Sequence, residues 1–454
     1  MTRDEHVDTI FALASGKGRA GVAVVRLSGP RAGETLKRLT NQDLPVPRMA
    51  LLANLTDPRN GGLIDRALVL WFPGPGSFTG EDVAELHIHG SRAVLGKLFE
   101  VLSSFKGLQL AEPGEFTRRA FEHGKMDLTQ AEGLHDLVFA ETEAQRTQAL
   151  YQLEGGLSKL YDSWREKLAS CLADLEATID FSEEEIPEGL LEQVQKDAAL
   201  LKSEIEKTCK DFGRGQAIRR GYRIVLLGPT NVGKSSLLNA LAKEDKAIVS
   251  DIAGTTRDVI EVHLDMAGYS VVLVDTAGLR EAGNVIEEEG IRRAQIQAGE
   301  ADLKLILCEL KDWPNLPGTS RKHLGGDSLV VLTKSDLVKG KPQKHEETSG
   351  IQAIPISLET GSGMDKLLKV IEARVIKKLE AAAPAAITRL RHRQALEEGL
   401  EALRRFEDHD IRETDPAILA EDIRLAARAL GRVTGRVGVE DILDKIFSRF
   451  CIGK

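Results

Sequence analysis

The sequence predicts a multidomain α/β protein. An N-terminal α+β domain is followed by a discontinuous helical domain, into which a third domain with a mostly parallel sheet and helices on both faces is inserted. Three observations carry this reading. Residues 1–122 mix short β-rich runs with Pro and Gly clusters. Residues 123–215 and 380–454 show helical periodicity, and neither looks sufficient for a core of its own. Between them, residues 216–379 alternate apolar strand runs with loops, the first loop being Gly228-Pro229-Thr230-Asn231-Val232-Gly233-Lys234-Ser235.

In the N-terminal part the runs 22–27, 67–72 and 83–89 read as strands, separated by turns such as Ser28-Gly29-Pro30 and the Pro/Gly cluster at 73–76. His87 and His89 alternate onto one strand face; without a third ligand nearby, a structural role is favoured over a metal site. Helical spacing begins near Asp127, through Leu134, Leu137, Val138 and 140–153, and continues through Trp164, Leu168, Cys171, Leu175 and Ile179. Glu183-Glu184-Glu185 and Pro187 interrupt it, a further helix runs to about Phe212, and Gly213-Arg214-Gly215 reads as a linker into the insertion. Ala381-Ala382-Ala383-Pro384 marks the exit. Two more helices are expected, one over 390–406 and one opened by the Asp415-Pro416 cap.

Composition bounds the function. The chain has 454 residues, 42% hydrophobic and 29% charged, an ordinary globular balance. No apolar run approaches the roughly twenty residues of a membrane span, and no signal-peptide core opens the chain, so a cytoplasmic protein is expected. The four cysteines, Cys171, Cys209, Cys308 and Cys451, have no CxxC spacing, which argues for a reducing compartment and against a zinc site. A net charge of −9 disfavours indiscriminate nucleic-acid binding, so any RNA must meet a local basic surface or a partner.

The chemistry is carried by boxes in fixed order. The G-x-x-x-x-G-K-S loop follows a strand run at 222–227 and opens a helix at Ser236, the context that wraps backbone N–H groups around phosphates. Lys234 neutralises the β- and γ-phosphates and Ser235 is a Mg²⁺ ligand. Gly254-Thr255-Thr256-Arg257-Asp258 and Asp275-Thr276-Ala277-Gly278 follow, Asp275 closing an apolar run where its carboxylate reaches the Mg²⁺ shell through water. Gly278 offers an N–H to the γ-phosphate without side-chain obstruction. Thr333-Lys334-Ser335-Asp336 comes next; Asp336 accepts N1–H and N2–H₂ of guanine, a donor pair adenine lacks, so GTP is the expected nucleotide. Ser357, Leu358 and Glu359 stand where a backbone N–H meets guanine O6. Leu279 occupies the place where many small GTPases orient water with glutamine, so another group must do so; Arg280 and the run Glu287-Glu288-Glu289 are candidates. Asn231 offers a side-chain oxygen to a monovalent cation, with backbone carbonyls of Ser250, Ile252 and Thr255 completing a K⁺ cage.

These boxes, with Trp71-Phe72-Pro73-Gly74-Pro75-Gly76-Ser77-Phe78-Thr79-Gly80-Glu81-Asp82, Pro113-Gly114-Glu115-Phe116-Thr117-Arg118-Arg119 and the terminal Phe450-Cys451-Ile452-Gly453-Lys454, resemble the MnmE (TrmE) family of tRNA-modification GTPases over essentially the full length. The resemblance implies a Ras-like G domain over 216–379, a folate-binding-like dimerisation domain over 1–122, and a helical domain over 123–215 and 380–454. It implies a homodimer acting with an FAD-dependent partner, MnmG (GidA), in a heterotetramer or larger assembly. Together they place an aminomethyl or carboxymethylaminomethyl group on C5 of the wobble uridine of certain tRNAs, with 5,10-methylene- or 5-formyl-tetrahydrofolate at the folate site.

By position, the resemblance assigns folate contacts to Arg26, Glu85, Lys125 and Lys454, a water-positioning role to Glu287, and Mg²⁺ sensing to Thr256. It extends GTP contacts over Asn231–Ser236 (Val232 and Gly233 included), over Ser250, Asp251, Ile252, Ala253, Gly254, Thr255 and Thr256, and over Thr276 and Ala277. Cys451 is implied either as a thiolate adding to C6 of uracil or as part of the folate pocket. Two departures stand out: Thr333 replaces the usual asparagine, and Leu358 the usual alanine. A ribosome-assembly GTPase would share the boxes, yet neither a GXXG RNA-binding signature nor a second GxxxxGKS is present. A folate-dependent one-carbon transferase with a regulatory nucleotide domain would instead modify RNA without a flavin partner.

Overall fold

The computed structural model describes residues 8–180, 189–243, 247–248, 261–275, 295–338, 347–348, 351–438 and 440–453. The chain divides into two units: Met1–His135, Leu153–Glu166 and Ala427–Lys454 in the first, Asp136–Gln152 and Lys167–Ala426 in the second.

The first unit is built on six strands: β1 (Thr9–Leu13), β2 (Ala20–Ser28), β3 (Leu51–Thr56), β4 (Leu63–Phe72), β5 (Val83–Gly90) and β6 (Leu108–Leu110). Their order is β3-β4-β5-β2-β1-β6, antiparallel except for the parallel β1/β6 pair. Period-two alternation decides the faces. Val25, Leu27, Val69, Leu86 and Ile88 are buried on one face, against Leu36 and Leu39 of the helix Ala32–Thr40 and Leu98, Val101 and Leu102 of the helix Arg92–Ser103. The opposite face keeps Arg26, Glu85 and His87 partly exposed. Behind the loop 73–82, Arg119 is fully buried and bonds Glu81 and Glu115, so its charge is matched. The helix Glu440–Phe447 returns the C-terminus here: Leu443, Phe447 and Phe450 pack on Leu128 and Ala131.

The second unit contains β7 (Tyr222–Leu227), β8 (Glu261–Met266), β9 (Tyr269–Asp275), β10 (Leu303–Glu309), β11 (Ser328–Thr333), β12 (Glu347–Thr348) and β13 (Ile351–Pro355). They form one sheet in the order β12-β13-β11-β10-β7-β9-β8, parallel in its centre and antiparallel at both edge pairs. The near-continuous apolar strands follow from burial on both faces. One face packs Ile224, Leu226 and Leu305 against Leu237, Leu367 and Ile371 from helices; the other buries Val225, Val272 and Val274 with Ala298, and Ile306 and Val330 with Trp313.

Two expectations are corrected. Gly213-Arg214-Gly215 is not a linker but lies within the helix Phe212–Arg220. Packing overrides the glycine signal: a Cβ on Gly215 would sit 2.0 Å from the Ile387 carbonyl oxygen, so only glycine lets that helix meet the outgoing chain. Three helices, not two, follow the insertion: Leu390–Asp408, Pro416–Thr434 and Glu440–Phe447. Asp415 caps the second as expected, its carboxylate accepting the Ala417 N–H at 2.9 Å.

Candidate functional site

The phosphate loop leaves β7 at Gly228 and enters the helix Lys234–Leu241. Its backbone is left-handed at three points: Gly228 (φ 147°), Asn231 (φ 60°) and Gly233 (φ 101°). At Gly228 a Cβ would approach the Leu307 carbonyl oxygen to 2.5 Å, so the turn needs glycine twice over, for φ and for space. Lys234 is nearly buried; its ammonium donates to the carbonyls of Gly228 and Pro229 at 2.8 and 2.6 Å, bracing the loop from inside.

β9 lies beside β7, which brings the end of one strand to the loop that follows the other. Asp275 is fully buried there, and its Oδ2 accepts the Ser235 hydroxyl at 2.7 Å. A hydroxyl and a carboxylate in contact at the end of this loop are hard oxygen donors of the kind Mg²⁺ takes. Of the remaining expected contacts, Ser250 to Thr256, Thr276 to Gly278, Leu279, Arg280, Glu287 to Glu289 and Lys454 lie outside the described residues.

The fourth and fifth boxes lie at the ends of β11 and β13. Lys334 adopts φ 57°, and the Ser335 N–H donates to the Ile356 carbonyl at 3.1 Å, joining the fourth box to the fifth. Thr333 is buried and its hydroxyl donates to the Cys308 carbonyl at 3.3 Å, so it ties β11 to β10. Asp336 and Glu359 are exposed, Asn231 and Ser236 likewise. Leu358 packs against the core with its Cδ1 3.5 Å from where a Gly233 Cβ would be, which accounts for a larger side chain at that position. Sequence reasoning missed Glu309: it ion-pairs with both Lys311 and Lys334, and these ammonium groups hold its carboxyl below the usual range. Only its position at the end of β10 could have hinted at it.

In the first unit, Arg26 and Glu85 are cross-strand neighbours. The Arg26 guanidinium bonds Glu85 Oε1 at 2.8–2.9 Å and lies over the rings of Phe78 (5.4 Å) and Phe116 (5.9 Å). Lys125 reaches the same loop: a Cβ on Gly80 would lie 3.2 Å from its Cε. The C-terminal peptide is seated alongside, Ile452 bridging Pro113 and the Gly114 N–H reaching the Cys451 carbonyl at 3.4 Å. Aromatic walls with a cation and a carboxylate fit a flat, polar heterocycle bearing N–H donors. His87 and His89 instead face Glu85 (3.4 Å) and Asp65 (2.8 Å), and no cluster able to hold a metal occurs among the described residues. Cys171 and Cys308 are buried, their thiols pushed up to about 11 and about 12, whereas Cys451 is exposed.

The MnmE helical domain matches residues 128–451, and the GTP-binding protein TrmE N-terminus matches residues 9–125. The tRNA modification GTPase MnmE of Parvibaculum lavamentivorans is 50% identical over 99% of this chain and all of its own length. The mitochondrial 5-taurinomethyluridine-[tRNA] synthase subunit GTPB3 of Danio rerio is 46% identical, covering 98% of this chain and 93% of the relative. Among solved structures, the G domain of the T. maritima FeoB iron transporter is 26% identical over 35% of this chain and 98% of that one, with a TM-score of 0.25. With a family domain spanning most of its length and full-length relatives at about half identity, the chain belongs to the MnmE family of tRNA modification GTPases.

Proposed function

We propose that this chain is a potassium-dependent GTPase which, with an FAD-dependent partner, installs an aminomethyl-type group on C5 of the wobble uridine of tRNA, using a tetrahydrofolate one-carbon unit. The observation that carries the GTPase reading is the Lys234–Ser235–Asp275 arrangement at the ends of β7 and β9. Lys234 holds the loop in its phosphate-accepting shape and adds positive charge beside the phosphates. Ser235 would hold Mg²⁺, with Asp275 reaching its shell through water, and the ion would supply charge neutralisation at the phosphates. Asp336 selects guanine, with Lys334 steadied by Glu309. The leucine after the third box leaves water positioning to Glu287, and Asn231 with the carbonyls of Ser250, Ile252 and Thr255 would hold K⁺, which would stabilise charge developing on the phosphates.

The folate reading rests on Arg26 and Glu85 beside Phe78 and Phe116, on Lys125 at the neighbouring loop, and on the Cys451 peptide seated at Pro113; Lys454 is assigned to the same site by the family resemblance. In it Glu85 accepts the pterin N–H donors, oriented by Arg26, and Lys125 takes the glutamate tail. The open sheet face, with Val22 and Leu68 exposed, suits dimerisation through residues 1–122. No described helix is long and apolar enough to cross a membrane, in keeping with a cytoplasmic site of action. GTP turnover in matched K⁺ and Na⁺ buffers tests the cation: K⁺ should accelerate it well above Na⁺, and Asn231→Lys should flatten the difference. Equal rates in the two salts would remove the K⁺ site. Mass spectrometry of wobble nucleosides from a deletion strain tests the modification itself.

A further inference from the structure

We infer that the sheet end formed by Lys17, Arg19, Arg66 and Arg92 is the surface that seats phosphates of the substrate tRNA; this rests on the tRNA reading above. The four cations come from three separate segments. β2 begins at Ala20, paired with Gly90 at the end of β5, so Arg19 and Arg92 flank the same pair of residues. The approach is close: a Cβ on Gly90 would lie 2.6 Å from the Ala20 carbonyl oxygen. Arg66 joins by register: Leu68 pairs with His87 in the antiparallel β4/β5 ladder, which sets Arg66 opposite His89 at the same end; the His89 N–H and ring are held by the Asp65 carboxylate at 2.7 and 2.8 Å.

Charge at this edge is left unmatched. Among the described residues most arginines, Arg26, Arg59, Arg119, Arg389 and Arg412 included, are held by carboxylates. Lys17, Arg19, Arg66 and Arg92 are exposed, and none has an ion pair or side-chain hydrogen bond among the described residues. Asp65, the acid next to Arg66 in sequence, is engaged by His89. Burial pushes the Asp65 carboxyl up, and the His89 N–H and ring outweigh it, leaving it below the usual range. Gly16 and Gly18 border Lys17 with open space around them, which lets a sugar–phosphate backbone approach the loop closely.

Position gives the patch its meaning. The basic loop rises directly from the seat of the C-terminal peptide: a Cβ on Gly453 would sit 2.1 Å from the Leu13 carbonyl oxygen and 3.0 Å from the Ala14 Cα. From Leu13 to Arg19 the chain can span at most about 20 Å. An RNA backbone lying on these cations therefore runs past the segment bearing Cys451, where a base would be presented to the folate site. Phosphate contacts of this kind position a nucleic acid without reading its sequence.

The test compares the full-length wild type with the combined variant Lys17→Gln, Arg19→Gln, Arg66→Gln, Arg92→Gln. Binding of a synthetic anticodon stem-loop with an unmodified wobble uridine is followed by anisotropy across a salt series, alone and with the flavoprotein partner. The variant should bind at least roughly tenfold more weakly at low salt, and the slope of log K against log salt should flatten by roughly 3. Arg→Lys at the three arginines should restore most of the binding, since a phosphate accepts a point charge. GTP turnover, 5-formyl-tetrahydrofolate affinity and dimerisation should stay unchanged, which also reports an intact fold. Unchanged RNA affinity and slope would overturn the proposal. So would intact RNA binding with weakened folate or flavoprotein affinity, which would reassign the patch to those ligands. Wild-type protein that does not bind the stem-loop under either condition would sink the tRNA reading, and the patch with it.

Discussion

Replacing Asp275 with asparagine removes one charge from a fully buried position while keeping the side chain's shape. Its Oδ2 accepts the Ser235 hydroxyl at 2.7 Å. A hydrogen bond to a charged group contributes about 1.5–3 kcal/mol and a neutral one about 0.5–1.5 kcal/mol, so the swap should cost the nucleotide-free chain on the order of 1 kcal/mol. The larger effect falls on the metal. Without the carboxylate the Mg²⁺ shell loses a charge-assisted contact, which should raise the Mg²⁺ needed for half-maximal turnover by roughly ten- to a hundredfold. Initial rates of GTP hydrolysis across a Mg²⁺ titration measure this, with a melting curve alongside. Excess Mg²⁺ should recover much of the turnover, because no group proposed to meet the attacking water has been removed. A wild-type Mg²⁺ dependence in Asp275→Asn would refute the metal assignment. A folded variant inactive at every Mg²⁺ concentration would show that Asp275 acts beyond holding the ion.

Three further outcomes are expected. Glu287→Ala should bind GTP nearly normally yet turn over roughly 10²–10⁴ more slowly, the range for a lost general-base or water-orienting group; Glu288→Ala and Glu289→Ala are the controls, and a crippled control beside an active Glu287→Ala would move the role along the run. Arg26→Ala should weaken 5-formyl-tetrahydrofolate binding by about 1.5–3 kcal/mol in calorimetry, because Glu85 loses the cation that orients it; unchanged affinity would count against the folate site. Gln148→Ala should melt lower by roughly 5–15 °C, since the buried amide bonds both the Ala385 N–H (2.8 Å) and its carbonyl (2.9 Å), each left unsatisfied at about 1–3 kcal/mol; an unshifted transition would show that water replaces the amide.

What the sequence made legible was local. The strand before Gly228, the helix after it and the strands ending at Asp275 and Thr333 each announce themselves by a short apolar run beside a glycine or a charge. Even the cross-strand Arg26–Glu85 pair was approached, though as two separate ligand contacts rather than as partners 2.8 Å apart. Long-range satisfaction was not legible. Glu309 lies 25 residues from Lys334, and nothing in either segment signals that their charges meet. Thr333 stands where asparagine is usual, and its hydroxyl secures β10, a bond set by strand order. The helical glycine at 215 misled for the same reason, because the contact that demands it comes from Ile387.

The same contact explains how a nucleotide-binding domain can interrupt a helical one. An insertion is tolerated when the incoming and outgoing chain lie side by side and share partners, so that neither end depends on the length between them. Here the Arg219 guanidinium donates to the Thr388 carbonyl at 3.1 Å, and Gly215 lets the entering helix touch Ile387. The helix Glu143–Leu153 then grips both. Gln145 donates to the Arg219 carbonyl on the way in, Gln148 bonds Ala385 on the way out, and Gln152 donates to the Thr388 hydroxyl at 3.2 Å. A third attachment engages the insertion's own sheet, where the Ala144 N–H donates to the Gly268 carbonyl at 3.0 Å in the turn between β8 and β9. That turn is the far end of the strand that terminates in Asp275. One helix therefore fixes the position of the whole β9 strand relative to both crossings of the chain, and polar bonds to main-chain groups, not side-chain packing alone, set that position.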